Sequence, residues 1–239
     1  MTPEERFAIL PVMKAHELFD WPRGVPFERF FKMDVHPWEW LPEIERALGA
    51  FDFRAAGEHP SVPPGVDLKG DVYLHPTVRL PAYATIKGPA WIGPEVEIRP
   101  GAYIRGKVIV GAGSVLGNSC EYKNCLLLEK VETPHYNYVG DSILGNRAHL
   151  GAGVICANLR LARDEVVVRV AGERFRTGLR KVGAFLGDGA EAGCNSVLQP
   201  GTILGRGAAV LGAAFHGHLP AGKLAVPETR FRVLKRPSL

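Results

Sequence analysis

Residues 68–120 read LKGDVYLHPTVRLPAYATIKGPAWIGPEVEIRPGAYIRGKVIVGAGSVLGNSC, and every sixth residue from the first is aliphatic: Leu68, Leu74, Leu80, Ile86, Ile92, Ile98, Ile104, Val110 and Leu116. Four places after each stands a small or β-branched residue or a cysteine: Val72, Val78, Ala84, Ala90, Val96, Ala102, Val108, Ser114 and Cys120. Neither the helical period of 3.6 nor the strand period of 2 produces such a two-position rule. The pattern returns at Tyr138, Leu144 and Leu150, with Ser142, Ala148 and Val154 four places on. A third block runs Leu186, Ala192, Leu198, Leu204 and Val210, with Ala190, Ser196, Thr202, Ala208 and Ala214.

Hexads of this kind resemble those of the left-handed parallel β-helix, in which three hexads make one triangular coil. The aliphatic residue points into the prism and the small one fits near a corner. Gly93, Gly111, Gly117, Gly145, Gly151, Gly187, Gly193 and Gly205 directly follow the aliphatic position. There the chain must turn, and glycine tolerates unusual backbone angles. Coils stack at about the 4.8 Å strand spacing, so each depends on its neighbours for burial. The same rule explains GAGSVLG (111–117) and GDGAEAG (187–193), which therefore do not read as phosphate-binding loops; no strand, helix and acidic residue surround them as a dinucleotide fingerprint requires. The expected fold is all-β: a left-handed parallel β-helix over 61–219, a protruding hairpin at 157–181, a short α-helical N-terminal module over 1–60 and a C-terminal tail over 220–239.

Composition narrows the function. With 29 Lys and Arg against 25 Asp and Glu, the formal charge of +4 is too small to argue for nucleic acid. MTPEERFAIL lacks the basic-then-apolar order of a signal peptide, and no apolar run approaches the roughly 18 residues of a membrane span. A cytoplasmic protein with no membrane partner is expected. Cys120, Cys125, Cys156 and Cys194 show no CxxC spacing and read as reduced, buried thiols.

Two segments interrupt the hexads. Residues 157–181, ANLRLARDEVVVRVAGERFRTGLRK, alternate as a strand, turn at Gly172 and return. Seven cations (Arg160, Arg163, Arg169, Arg174, Arg176, Arg180 and Lys181) face three acids, so this is either a solvated ribbon or a clamp for ligand phosphates. Residues 1–53 hold ten of the 21 aromatics and carry helix-start signals, which predicts a helical module packed on the first coils. Thr2, Pro3 and Glu5 make one capping box, and His36-Pro37 opens a helix through WEWLPEIERAL.

Between the blocks, Lys123, His135, Tyr138, His149 and Asn158 lie within 36 residues. Side chains one coil apart stack, so these can converge. Histidine titrates near neutrality, while lysine and tyrosine suit a phosphate. The stretch HYNYVGDSILGNRAHLGAG followed by ICAN resembles the acetyltransferase domain of the bifunctional enzyme that makes UDP-N-acetylglucosamine. It is more similar still to archaeal members that fuse a sugar-phosphate nucleotidylyltransferase to the same β-helix. Those members share a His-x-x-Tyr-x-Gly-Asp motif, the Gly-Ala-Gly, an Asn-Leu-Arg start, a basic hairpin and the RKxGAFxG that reads here Arg180 to Gly187. The resemblance covers about residues 65–215.

The resemblance implies an acyl-CoA-dependent N-acyltransferase. It would acetylate the amino group of a hexosamine 1-phosphate or related sugar nucleotide, use acetyl-CoA as co-substrate with no metal, and work as a homotrimer with the site between prisms. His135 matches the general base and Asn158 the residue that holds it. Arg105, Lys123 and Tyr138 match sugar and phosphate contacts. Ala152 matches a backbone contact to the acetyl-CoA side, Cys194 and Gly212 line the coenzyme arm, and Arg180 and Lys181 are assigned to the cofactor as well. His149 replaces the family asparagine that contacts the sugar, which implies a different acceptor or an altered site. Residues 1–60 provide neither the nucleotide loop nor the length for the nucleotidylyltransferase fold, so uridylyl transfer is not expected. Two other readings stand beside this one. A γ-type carbonic anhydrase would use zinc held by histidines drawn from His135, His149, His216 and His218. A non-catalytic scaffold or sugar-nucleotide-binding protein would use the N-terminus to bind a partner.

Overall fold

The computed structural model describes residues 13–55 and 60–228. Among the described residues short strands wind into three parallel sheets, two of eight strands and one of seven. The first contains Tyr83–Lys87, Tyr103–Arg105, Glu121–Lys123 and Tyr138–Gly140; the second contains Ala90–Ile92, Val108–Val110 and Cys125–Leu127; the third contains Val115–Asn118, Glu132–His135 and His149–Leu150. This is the expected three-sided parallel β-helix. The third sheet ends with Leu224–Ala225, so coiling continues past residue 219.

Strand register explains the hexads. The residues facing into the prism stack as Ile86, Ile104, Tyr122, Val139, Cys156 and Leu198 in the first sheet. In the second they stack as Leu74, Ile92, Val110, Leu127, Leu144, Leu186 and Leu204. All are buried in one continuous core. The eight glycines are needed for a different reason from the expected one. None has a positive φ. Instead, a Cβ on Gly111 would sit 2.6 Å from the Leu128 carbonyl oxygen, and one on Gly205 would sit 2.5 Å from the Ala221 nitrogen. At all of them but Gly93 and Gly193 glycine is required because the next coil passes so close. The left-handed turn residue comes two places later, as at Glu95, Gly113, Arg147, Gly153 and Gly189.

The period slips at one corner. Ile104 pairs with Tyr122, eighteen residues on, but Val110 pairs with Leu127, seventeen on. The corner from Tyr122 to Leu127 has lost one residue, and so has the corner from Val139 to Leu144 one coil later. As a result Val139, and not Tyr138, faces the core, which corrects the hexad phase expected for that block. Asn124 and Asp141 absorb the tight bends at φ 47° each, a left-handed conformation that Asn and Asp tolerate better than most residues.

The outer face of the second sheet is apolar: Tyr73, Trp91, Ile109, Leu126, Ile143, Phe185 and Ile203 stack there. The N-terminal module covers it. His36 and Pro37 start a 3-10 turn, Pro37–Glu39, whose Glu39 carboxylate accepts from the His36 N–H at 2.9 Å. The helix Trp40–Gly49 follows, and its buried Trp40, Leu41, Ile44, Ala47 and Leu48 recur at helical spacing. Phe19 and Phe31 pack on Trp40 with ring centroids 5.2 and 5.3 Å away. This second core spans the sheet from Tyr73 to Ile203, well beyond the first coils expected to receive it. The box at Thr2, Pro3 and Glu5 lies outside the described residues.

The basic insertion is an antiparallel hairpin of Val167–Val170 and Glu173–Arg176. It does not stand free. Val166, Val168 and Val170 are buried in the second core, and Phe175 lies 5.9 Å from Trp38, ring to ring. A polar clasp completes the attachment of the module. Asp188 accepts from the backbone of Asn146 at 2.7 Å and of Asp20 at 2.9 Å, and Arg206 donates to both Asp188 and Asp20. Among the described residues no helix is long and apolar enough to cross a membrane.

Candidate functional site

The tight corners gather a cluster of polar side chains. Asp141, with its side chain 5% exposed, accepts hydrogen bonds from Asn124 Nδ2 at 2.8 Å, Asn158 Nδ2 at 2.5 Å and Lys123 Nζ at 3.2 Å. Asn158 also donates to the Tyr138 hydroxyl at 3.2 Å. The two groups meet over Gly140, where a Cβ would lie 2.5 Å from the Tyr138 oxygen and 2.7 Å from the Asn158 amide. Burial pushes the Tyr138 phenol above its ordinary value, against the hydrogen bond from Asn158, so it remains a neutral donor.

Arg105 ends the strand beside Lys123 and is ion-paired to Glu121. Both cations line a cavity of about 250 Å³ with Lys107, Asn124 and Asp141. A second cavity of about 570 Å³ shares Lys107, Asn124 and Asp141 and extends between the helix Trp40–Gly49 and the base of the hairpin, where Arg180 and Lys181 lie.

The remaining expected residues follow the opposite edge of the first sheet. His135 ends its strand beside Asn118, and its carbonyl accepts from Gly153 N–H at 3.0 Å. One coil on, the Ala152 carbonyl accepts from Asn195 N–H at 2.8 Å, and a Cβ on Gly212 would lie 2.9 Å from the Cys194 carbonyl oxygen. His135, Ala152, Cys194 and Gly212 therefore stack along one corner. Cys194 is exposed, whereas Cys120, Cys125 and Cys156 are buried; the expectation of four buried thiols holds for three. His149 faces outward on the third sheet between Glu132 and Glu191.

Within one chain the expected catalytic pair is separated. Asn158 bonds Tyr138 and Asp141, and no hydrogen bond joins it to His135 among the described residues. The strand Tyr138–Gly140 stands between the two edges, about 10 Å at roughly 3.3 Å per residue. Arg180 and Lys181 likewise face the edge opposite Ala152, Cys194 and Gly212. His135, His149, His216 and His218 are spread over different parts of the prism, and no group of three or more metal-ligating side chains forms among the described residues.

Two residues of the polar cluster escaped the sequence reading. Asp141 and Asn124 carry the network, and the available signal was the loss of one residue from each of two successive corners. Asp141 also closes the His-x-x-Tyr-x-Gly-Asp motif.

Comparison with known proteins agrees with this architecture. The family model described as the GMPPB C-terminal domain matches residues 86–174. A bifunctional sugar-1-phosphate nucleotidylyltransferase/acetyltransferase of Sulfurisphaera tokodaii is 41% identical over 90 residues, 38% of this chain and 22% of that protein. A bifunctional protein GlmU of Methanococcus maripaludis is 33% identical over 182 residues, 76% of this chain and 43% of its own length. A hexapeptide transferase family protein from Anaplasma phagocytophilum covers 71% of this chain and 84% of its own, at 18% identity and a TM-score of 0.24, too loose a superposition to bear on function. The chain spans less than half the length of the curated relatives it matches. It is a hexapeptide-repeat β-helix whose homologues are GlmU-type bifunctional sugar-1-phosphate nucleotidylyltransferase/acetyltransferases, and its partial coverage fits their acetyltransferase domain.

Proposed function

We propose that the protein transfers an acetyl group from acetyl-CoA to the amino group of a hexosamine 1-phosphate or a related sugar nucleotide, acting as a homotrimer with its sites in the grooves between prisms. The observation that carries this reading is the arrangement on the first sheet. Tyr138 lies on its outer face, the clasp of Lys123, Asp141 and Asn158 forms one edge, and His135 stacks over Ala152, Cys194 and Gly212 along the other. The second sheet is covered by the N-terminal module, which leaves the first and third free to meet another copy. The names of the relatives, which include acetyltransferases, support the same reaction.

In this reading Arg105 and Lys123 take the phosphate, Tyr138 donates to the sugar, and His149 borders it from the neighbouring face. His135 removes a proton from the amine as nitrogen attacks the thioester carbonyl. The Ala152 backbone N–H steadies the oxyanion, its neighbours at Gly151 and Gly153 being donated to Ala192 and His135. The carbon–sulfur bond then breaks, and the proton held by His135 passes to the departing coenzyme A thiolate. Asn158 acts by holding Tyr138 and Asp141, and through them the acceptor. Its contact with a histidine would come from an adjacent copy.

CoA release with glucosamine 1-phosphate or galactosamine 1-phosphate tests the proposal. His135→Ala should abolish release while sedimentation still reports a trimer. Undiminished turnover in that variant would refute the assigned base, and a monomer in the active wild type would refute the shared groove.

A further inference from the structure

The larger cavity is built mostly by parts of this chain that lie outside the hexads, and its charge is unbalanced. One wall is Leu41, Pro42 and Glu45 of the helix Trp40–Gly49; the other is the base of the hairpin, Leu159 and Arg163 on the way out and Leu179, Arg180 and Lys181 on the way back. A bridge between the Leu159 and Lys181 backbones fixes the two ends of the insertion side by side. Asn124 and Asp141 line the cavity where it meets the tight corner.

Its four cations are not equally neutralised. Lys107 is paired with Glu45 at 2.7 Å. Arg180 is oriented through its Nε, which donates to the Arg163 carbonyl oxygen at 3.1 Å, and its terminal nitrogens have no acid partner among the described residues. Neither the Arg163 nor the Lys181 side chain forms an ion pair among the described residues. Two of the three acids of the insertion are engaged elsewhere, Asp164 with Arg160 and Glu165 with Arg176, and the third, Glu173, begins the returning strand and does not line the cavity. Three exposed cations gathered around one concavity repel each other, and an anion placed between them relieves that repulsion. Guanidinium forks match phosphate oxygens, and the four apolar wall residues suit the face of a ring. At about 570 Å³ the cavity falls in the roughly 300–1,000 Å³ range of small-molecule sites.

We infer that this cavity binds the phosphoryl group of a small organic phosphate, with Arg163, Arg180 and Lys181 holding the phosphate and Asn124 and Asp141 facing the hydroxyls of its ring. The inference rests on the cavity and stands whether or not the acyl-transfer reading does. Two sources share this chemistry: a sugar phosphate or nucleotide, and the phosphorylated end of coenzyme A.

Calorimetric titration of the full chain with UDP, glucosamine 1-phosphate, coenzyme A and inorganic pyrophosphate tests it. At least one organic phosphate should bind, more weakly as salt rises. Arg163→Ala and Arg180→Ala should each weaken that binding by about tenfold or more, the loss of one charge-assisted hydrogen bond. Arg174→Ala, on the returning strand and outside the cavity, should leave it unchanged, and matched melting curves should confirm that all three variants fold. Loss of UDP or glucosamine 1-phosphate binding identifies the first source; loss of coenzyme A binding identifies the second. If none of the organic phosphates binds, or if the two cavity variants bind them as tightly as wild type, the inference is overturned.

Discussion

Replacing Asp141 with asparagine tests the corner network on which the candidate site depends. The carboxylate offers two acceptor oxygens, one taking Asn124 and the other Asn158, with Lys123 near both. An amide has only one acceptor oxygen. Whichever way it flips, its NH2 group faces the NH2 of Asn124 or of Asn158, so one hydrogen bond to an ionised acceptor is lost, at about 1.5–3 kcal/mol. Lys123, 27% exposed, loses a partly solvated ion pair that adds no more than about 1 kcal/mol. The expected destabilisation is about 2–4 kcal/mol, a fall of roughly 4–16 °C in melting temperature for a chain of this size. Amide exchange read by mass spectrometry should localise the effect to peptides spanning 138–144 and 156–160, because Asn158 and Tyr138 are held through Asp141. A melting temperature within about 1 °C of wild type, with unchanged exchange in those peptides, would show that the network does not fix the corner.

Further outcomes follow from other parts of the molecule. Tyr122 fills the prism interior and hydrogen-bonds the Thr133 hydroxyl at 2.6 Å. Tyr122→Phe should cost about 1 kcal/mol in denaturant unfolding, and Tyr122→Ala, which leaves a ring-sized void, about 3–5 kcal/mol. Arg206→Ala should cost about 2 kcal/mol by leaving the Asp188 carboxylate without its cation. Arg206 also holds the Asp20 carboxyl below its ordinary value of 3.8. That contribution is complete above the ordinary value and is lost as pH falls through the lowered one, so tryptophan fluorescence should report loosening of the module below about pH 4. In Arg206→Ala that acid limb should shrink. Cys194 alone should react with a thiol reagent in the folded protein, since burial pushes the Cys156 thiol up to about 12 and raises the Cys120 and Cys125 thiols as well. Acetyl-CoA should slow the labelling of Cys194 if the coenzyme arm follows that corner.

The sequence carried the prism almost completely, because each coil repeats the same burial problem and the same residue types solve it. It carried less at the corner between the first and second sheets. A reading fixed to six places put Tyr138 in the core position that Val139 occupies, and a one-residue deletion inside a corner leaves no mark on composition. The reason for the glycines was also out of reach, since the collision at Gly111 or Gly205 involves the backbone of the following coil. The site residues were found as types, through the resemblance and its motif. Their partition between two edges of one face could not be read, because it depends on which corner each stacks against. Asp141 was visible in the motif, but nothing in the sequence said that three side chains would converge on it.

The covering of the second sheet changes how the molecule can come apart. A bare solenoid resembles a stack of coins, in which an end coil touches only one neighbour and the column can shed its members singly. Here the module and the hairpin lie lengthwise along that stack, against outward residues from Tyr73 to Ile203, and are riveted near its far end by Asp188 and Arg206. Except for the last coil, which lies past Ile203, no coil can leave without lifting the splint from its neighbours. The aromatic residues that interrupt the repeat pattern thus turn a one-dimensional array into a body that opens as a unit.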